Sequence, residues 1–337
     1  DVVLTVPLLK TLALRFPSAE ITFLGTPAGC EIMQNVLPDR LSFLSYDKRR
    51  KDRGPRAWMH LLRKVRDRAF DLAVSPHRSL RSSLTAFLSG ATLRVGFRQS
   101  VLNHVYTHRV DRNPEEHEIR RNLALVEAVT ADPVSDPPDL DLNITPGEIK
   151  IAASLLAPLL SRNRTIIAVA PGSVWPTKRW PLEYIQELIR FIRERYSAEI
   201  ALLGSNAEAA DTQKIQESLE YGVLDLAGKT DLRTLGAVIK KCNILITNDS
   251  APLHFASAAG TPVIAFFGPT VPAYGFTPFR VPSLICEIPE LSCRPCSLHG
   301  GKHCPRKHFR CMRDLDFPSL KSSIRAFLDQ HISSSHT

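Results

Sequence analysis

No apolar run in the 337 residues approaches the ~20 needed to span a bilayer, so an integral membrane protein is not expected. The loops that mark the commonest nucleotide enzymes are missing too. There is no Gly-x-Gly-x-x-Gly turn and no complete phosphate-loop motif ending in Gly-Lys-Ser/Thr. That weighs against dinucleotide-dependent oxidoreductases and nucleoside-triphosphate hydrolases. No Gly-x-Ser-x-Gly elbow points to a serine hydrolase. Aromatic residues are 7% of the chain and sparse in its basic stretches, which leaves little to stack nucleic-acid bases.

What is present describes an ordinary globular chain long enough for two domains, 44% hydrophobic and 23% charged. The net charge of +9 favours an anionic partner. Between Asp47 and Arg68 ten Lys or Arg face three Asp, and Arg78, Arg81, Arg94 and Arg98 follow. A solvated helix face accounts for any one of these. Together they suit an anionic sugar, a phosphorylated glycolipid or a membrane surface better than nucleic acid.

Short β-rich runs alternate with amphipathic helices, which argues for parallel sheets covered on both faces. In the first half the strand candidates are 21–24, 42–44, 72–75 and 94–97, with helices over 5–16, 56–68 and 115–129. Pro133, Pro137 and Pro138 among aspartates then mark a linker over 130–143. Thr145-Pro146-Gly147-Glu148 reads as a capping box opening a helix. The expected division is 1–145, 146–316 and a final helix and tail, 317–337: two βαβ domains facing each other across a cleft.

Ligands of open parallel sheets bind beyond the carboxyl ends of the strands. Three loops of the second half stand there. In Pro171-Gly172-Ser173…Thr177-Lys178-Arg179-Trp180-Pro181, Gly172 lets backbone approach a ligand, Ser173 and Thr177 offer hydroxyls, and Lys178 can neutralise a phosphate. In Asn248-Asp249-Ser250-Ala251-Pro252-Leu253-His254 an apolar strand gives way at once to a helix, whose free N–H groups and dipole suit a diphosphate. Asp249 either caps that helix or holds sugar hydroxyls, and His254 lies one turn in. Gly268-Pro269-Thr270 adds a tight turn and a hydroxyl.

These segments resemble those of glycosyltransferase family 9, the lipopolysaccharide heptosyltransferases, and are nearest to the second heptosyltransferases that extend the inner core. The resemblance also covers residues 1–9, His77-Arg78-Ser79…Arg81-Ser82, Arg94-Val95-Gly96-Phe97 and Cys311-Met312-Arg313-Asp314-Leu315, in the family's order. It implies an α/β GT-B fold and inverting transfer of L-glycero-D-manno-heptose from ADP-heptose to an anionic, Kdo- or heptose-containing lipid A acceptor. It implies no required cofactor, no nucleic acid, and a cytoplasmic enzyme peripheral on the inner face of the inner membrane. By motif position Ser173 and Lys178 would contact the diphosphate, and the Thr177 hydroxyl makes it a further donor-binding candidate. Asp249, Ser250 and Ala251 would hold sugar and phosphate with His254 beside them, and Ser205 would lie in the turn that faces the nucleoside. Arg78 and Arg81, following a strand end at Ser75, are the acceptor candidates.

Asp1 falls on the family's general base, and a carboxylate there can take the acceptor's proton. The strand and glycine loop that precede this position in the family are not in the sequence. The expectation is that the chain as it stands is poorly stable and inactive, and that restoring the upstream residues recovers transfer.

Cys293, Cys296, Cys304 and Cys311 make a C-x2-C-x7-C-x6-C run with His299, His303 and His308 interspersed. Loop ordering by reduced thiols, a structural zinc and disulfides all remain open, and a reducing cytosol disfavours the last. The rival functions are a related transferase with another nucleotide sugar or acceptor, a non-catalytic nucleotide-sugar or glycolipid binder, and a zinc-dependent nucleic-acid binder.

Overall fold

The structure is a computed structural model describing residues 2–48, 50–219 and 222–332. The chain forms two compact units, Val2–Leu142 and a second that begins at Asn143. The change of unit comes three residues before the expected boundary at 145/146. The Arg233 guanidinium of the second unit donates to the Asn143 carbonyl at 3.1 Å.

The first unit runs α1 (Val6–Arg15), β1 (Ile21–Gly25), α2 (Pro27–Met33), β2 (Leu41–Ser45), α3 (Pro55–Arg66), β3 (Leu72–Ser75), α4 (Leu80–Leu88), β4 (Leu93–Phe97), β5 (His108–Val110) and α5 (Glu118–Thr130). All its strand pairs are parallel: β1 with β2, and β4 between β3 and β5. The Ser79 hydroxyl accepts from the Ser82 N–H at 3.2 Å and starts α4 there. That cap places Arg78 in the turn after β3 and Arg81 in the first turn of the helix.

The second unit contains α6 (Pro146–Leu160), β6 (Ile166–Ala170), α7 (Leu182–Tyr196), β7 (Glu199–Leu202), α8 (Ala209–Glu217), β8 (Leu224–Asp225), α9 (Leu232–Lys241), β9 (Ile244–Asn248), α10 (Ala251–Ala259), β10 (Val263–Phe267), β11 (Ser283–Glu287), α11 (Arg310–Arg313) and α12 (Phe317–Ile332). The capping box forms as its spacing predicts. Glu148 N–H donates to the Thr145 hydroxyl at 3.2 Å, and Thr145 N–H donates back to the Glu148 carboxylate at 2.6 Å. The six strands lie parallel in the order β11-β10-β9-β6-β7-β8. From β6 the chain winds outward through β7 and β8, then returns to β9 and winds the other way. The direction therefore reverses between β6 and β9, the place where open α/β sheets bind ligands.

Strands β6, β9 and β10 are buried throughout, as parallel strands covered on both faces must be. The final helix is no separate appendage. Phe317, Ile324, Leu328 and Ile332 bury one stripe of α12 in the core that covers the sheet. Among the described residues no helix is long and apolar enough to cross a membrane.

Trp180 is the anchor of the loop after β6. It is 1% exposed and stacks on Phe266 of β10 at 3.9 Å between ring centroids, tilted by 10°. Its indole N–H donates to the Leu315 carbonyl at 2.7 Å. Trp180→Ala removes the stack and leaves that carbonyl without its donor. The unfolding free energy from urea titration should fall by about 3–5 kcal/mol.

Candidate functional site

The loops following β6 and β9 emerge side by side at the reversal point, and Asn248 ties them together. Its amide is 1% exposed and fully used. The Nδ2 group donates to the carbonyls of Pro171 (2.7 Å) and Gly172 (3.3 Å), while Oδ1 accepts from the Trp180 N–H (2.9 Å). Both ends of the 171–180 loop are thus fixed to one side chain of β9.

That fixing brings Lys178 to Asp249. The ammonium donates to Asp249 Oδ2 at 2.6 Å, and the same oxygen accepts from the Thr270 hydroxyl at 2.5 Å. All three loops meet on this carboxylate. Asp249 is 7% exposed. Of the two roles open to it in the sequence, it does not take that of cap. Ser250 is the N-cap of α10, and its hydroxyl makes no capping bond; it lies 3.3 Å from the Thr247 hydroxyl. Pro252 has no N–H, so α10 begins with its positive end unmasked by any side chain cap.

His254, 3% exposed, sits one turn further in. Burial drives its pKa down to about 4. The Lys178 cation works in the same direction, and the Asp249 carboxylate works against it. The imidazole is neutral at pH 7.

A protein-family model for glycosyltransferase family 9 (heptosyltransferase) matches residues 58–302. The chain belongs to glycosyltransferase family 9. It is 28% identical over 302 residues to the lipopolysaccharide heptosyltransferase 2 of Escherichia coli K12, covering 82% of each chain. Its fold superposes on a family 9 glycosyl transferase from Veillonella parvula with a TM-score of 0.85 at 20% identity, over 98% of this chain and 94% of that one. The E. coli ADP-heptose LPS heptosyltransferase II gives 0.76 at 20% identity, over 97% and 95%. The chain is thus a glycosyltransferase with the α/β GT-B fold of the heptosyltransferases.

Several residues expected to face a ligand turn out to be engaged within the protein. The Ser173 hydroxyl accepts from the Trp175 N–H at 3.3 Å, and the Ser173 carbonyl accepts from Arg179 at 2.9 Å. The buried Thr177 hydroxyl exchanges hydrogen bonds with the backbone of Gly301, at 2.9 and 2.8 Å. Ser205 forms a capping box with Glu208, both its N–H and its hydroxyl reaching the carboxylate at 2.8 Å. Glu208 in turn lies against Gly172, where a Cβ would come within 1.9 Å of Oε1. Gly172 therefore makes room for a carboxylate as well as for backbone approach. Ala251 is exposed at the first position of α10.

Arg78 and Arg81 belong to the first unit and are both exposed; the Arg81 guanidinium lies over the rings of Tyr46 (5.6 Å) and Trp58 (5.9 Å). Asp1 lies outside the described residues. All seven cysteines are free. Cys296 Sγ donates to the Cys293 carbonyl at 3.0 Å, and Cys293 Sγ lies 3.8 Å from His308 Nε2. Among the described residues, which include Cys293, Cys296, Cys304 and Cys311, no three or more His, Cys, Asp or Glu are grouped so as to hold a metal ion.

Sequence spacing did not reveal Asn248 as the tie, Thr270 as a second donor to Asp249, or Gly301 as the partner of Thr177. Thr270 was marked by a hydroxyl just after a buried strand and by the resemblance of Gly268-Pro269-Thr270, neither of which names its partner.

The neutral, buried imidazole has a measurable signature. In the NMR titration of the folded protein, His254 should protonate near pH 4, not near the ordinary 6.5. Its folded-state pKa lies below the unfolded value, so its contribution to stability is complete above about pH 6.5 and is lost as the pH falls toward 4. A His254 resonance titrating near 6.5 would contradict this burial.

Proposed function

We propose that this glycosyltransferase transfers L-glycero-D-manno-heptose, with inversion, from ADP-heptose to the inner-core oligosaccharide of a lipid A acceptor. The observation that carries the reading is the Lys178 ammonium, held by Asp249 beside the uncapped start of α10 at the reversal point of the sheet. A diphosphate needs fixed positive charge in a partly buried place, and a cation next to a helix N-terminus supplies it. Membership of the heptosyltransferase family, and the ADP-heptose enzyme of E. coli sharing this fold, support the choice of donor.

In this mechanism an acceptor hydroxyl attacks the anomeric carbon from the face opposite the leaving ADP. Charge builds on the departing diphosphate, where Lys178 and the first-turn N–H groups of α10 meet it. Asp249 keeps the ammonium in place and leaves its second oxygen for a sugar hydroxyl. His254, uncharged, closes the buried side without competing for the phosphate. These groups supply the charge that the leaving group needs, so the reading requires no cofactor. The general base is assigned to Asp1 on motif position alone. Ser173, Thr177 and Ser205 shape the donor loops through the hydrogen bonds described above, and Ser250 and Ala251 present the helix start.

Arg78 and Arg81 are the residues proposed to meet the anionic groups of the acceptor. The basic stretch over 48–68 suits the anionic inner face of the inner membrane, from the cytoplasmic side.

ADP release should require both ADP-heptose and a Kdo-containing lipid acceptor. Lys178→Ala should lower kcat by about 10²–10³-fold, the range seen when one donor to a developing negative charge is removed. Asp249→Asn should lower kcat/KM by about a hundredfold, since it frees the ammonium from its anchor. Turnover of a different nucleotide sugar in preference to ADP-heptose would overturn the choice of donor.

A further inference from the structure

The backbone and side chains of the segment over 293–304 hydrogen-bond to both sides of the Lys178–Asp249–Thr270 cluster. On the cation side, Gly301 exchanges three hydrogen bonds with Thr177, the residue before Lys178: Thr177 N–H and hydroxyl donate to the Gly301 carbonyl, and Gly301 N–H donates to the Thr177 hydroxyl. Gly300, at φ +89°, lies directly against the Lys178 stem. A methyl group there would come within 3.0 Å of Trp175 Cβ and 3.1 Å of Lys178 Cγ. Only a residue without a side chain lets the loop approach so closely in that conformation.

On the anion side, the Cys296 N–H donates to the Pro269 carbonyl at 2.9 Å. The Arg294 guanidinium, almost wholly buried, donates to the Thr270 carbonyl at 2.8 Å and to that of Phe267 at 3.3 Å, and pairs with Glu287 at 2.8 Å. Thr270 is the residue whose hydroxyl reaches Asp249. Behind these contacts Thr177, Pro269, Cys296, Cys304, Phe309 and Cys311 line a small cavity.

We propose that residues 294–301 form a clamp that fixes the reach of the Lys178 ammonium toward a bound nucleoside diphosphate, with Thr177 and Arg294 as positioning residues. The inference rests on the donor-site reading above and gives this loop a purpose within it. A lysine has a long flexible stem, and its ammonium stays at one point only if the stem is confined. Gly300 confines it along its length, Thr177 fixes its root, and Arg294 fixes the Thr270 turn that shares its carboxylate. The thiols line the space behind the clamp and take no part in its bonds to the cluster, apart from the backbone of Cys296.

The test is a double-mutant cycle on the full chain. Thr177→Val keeps the shape and removes the hydroxyl; it should lower kcat/KM for the donor by about ten- to a hundredfold. Thr177→Ser, which restores the hydroxyl, should return within about threefold of the parent, the span of non-additivity allowed to a retained contact. In a Lys178→Ala background Thr177→Val should cost nothing further, because the group it positions is gone. Arg294→Lys should behave as Thr177→Val does. Melting temperatures of each variant confirm that the comparison is between folded proteins. An equal loss in the Lys178→Ala background, or full activity of Thr177→Val, would overturn the clamp. If the parent protein does not turn over ADP-heptose, the proposed function fails. The same cycle is then read from ADP affinity by calorimetry, where the clamp requires the same loss and the same lack of additivity.

Discussion

One buried amide spans the ends of β6 and β9. Asn248, next to Asp249 in the chain, uses its short side chain to hold both ends of the loop that carries Lys178. A buried amide left unpaired is costly, so the arrangement is all or nothing. It works because the strand order reverses between β6 and β9, which opens a gap that a single side chain can bridge. Trp180 then locks the far end of the loop into the core by stacking on Phe266.

The charges of the site follow from that geometry. Lys178 and Asp249 form a partly buried pair whose carboxylate also takes a hydroxyl from Thr270. A pair in such surroundings adds little to stability by itself, since desolvation offsets most of the attraction. The pair holds a cation next to a helix start that no side chain caps, the arrangement on which the proposed diphosphate site rests. His254 contributes by staying neutral, which burial enforces.

Elsewhere charge is structural. Glu199 is buried among Arg162, Arg164 and Arg193 at the start of β7. Burial by itself would raise its pKa, but its hydrogen bonds to Arg162 and Arg193 prevail and lower it. Its contribution is present above the unfolded carboxylate value, about 4.3, and is lost as the pH falls through the folded one. Arg121 similarly holds the chain before α5 through the carbonyls of Asn113 and Pro114.

Much of this was legible in the order of residues. Hydrophobic runs between polar turns fix β6, β9 and β10, because a parallel strand buried on both faces has to be continuously apolar. The capping box at Thr145–Glu148 is local chemistry, readable from a few neighbours. The motifs around Lys178 and Asp249 carried the family. Local sequence could not say which strands are neighbours, since strand order depends on how the whole chain winds. It therefore could not say that Asp249 answers Lys178 rather than its own helix, that the Thr177 hydroxyl bonds to Gly301, or that Arg294 of the cysteine-rich loop reaches the Thr270 carbonyl. Those are contacts between residues tens of positions apart, and only the packed sheet brings them within hydrogen-bonding distance.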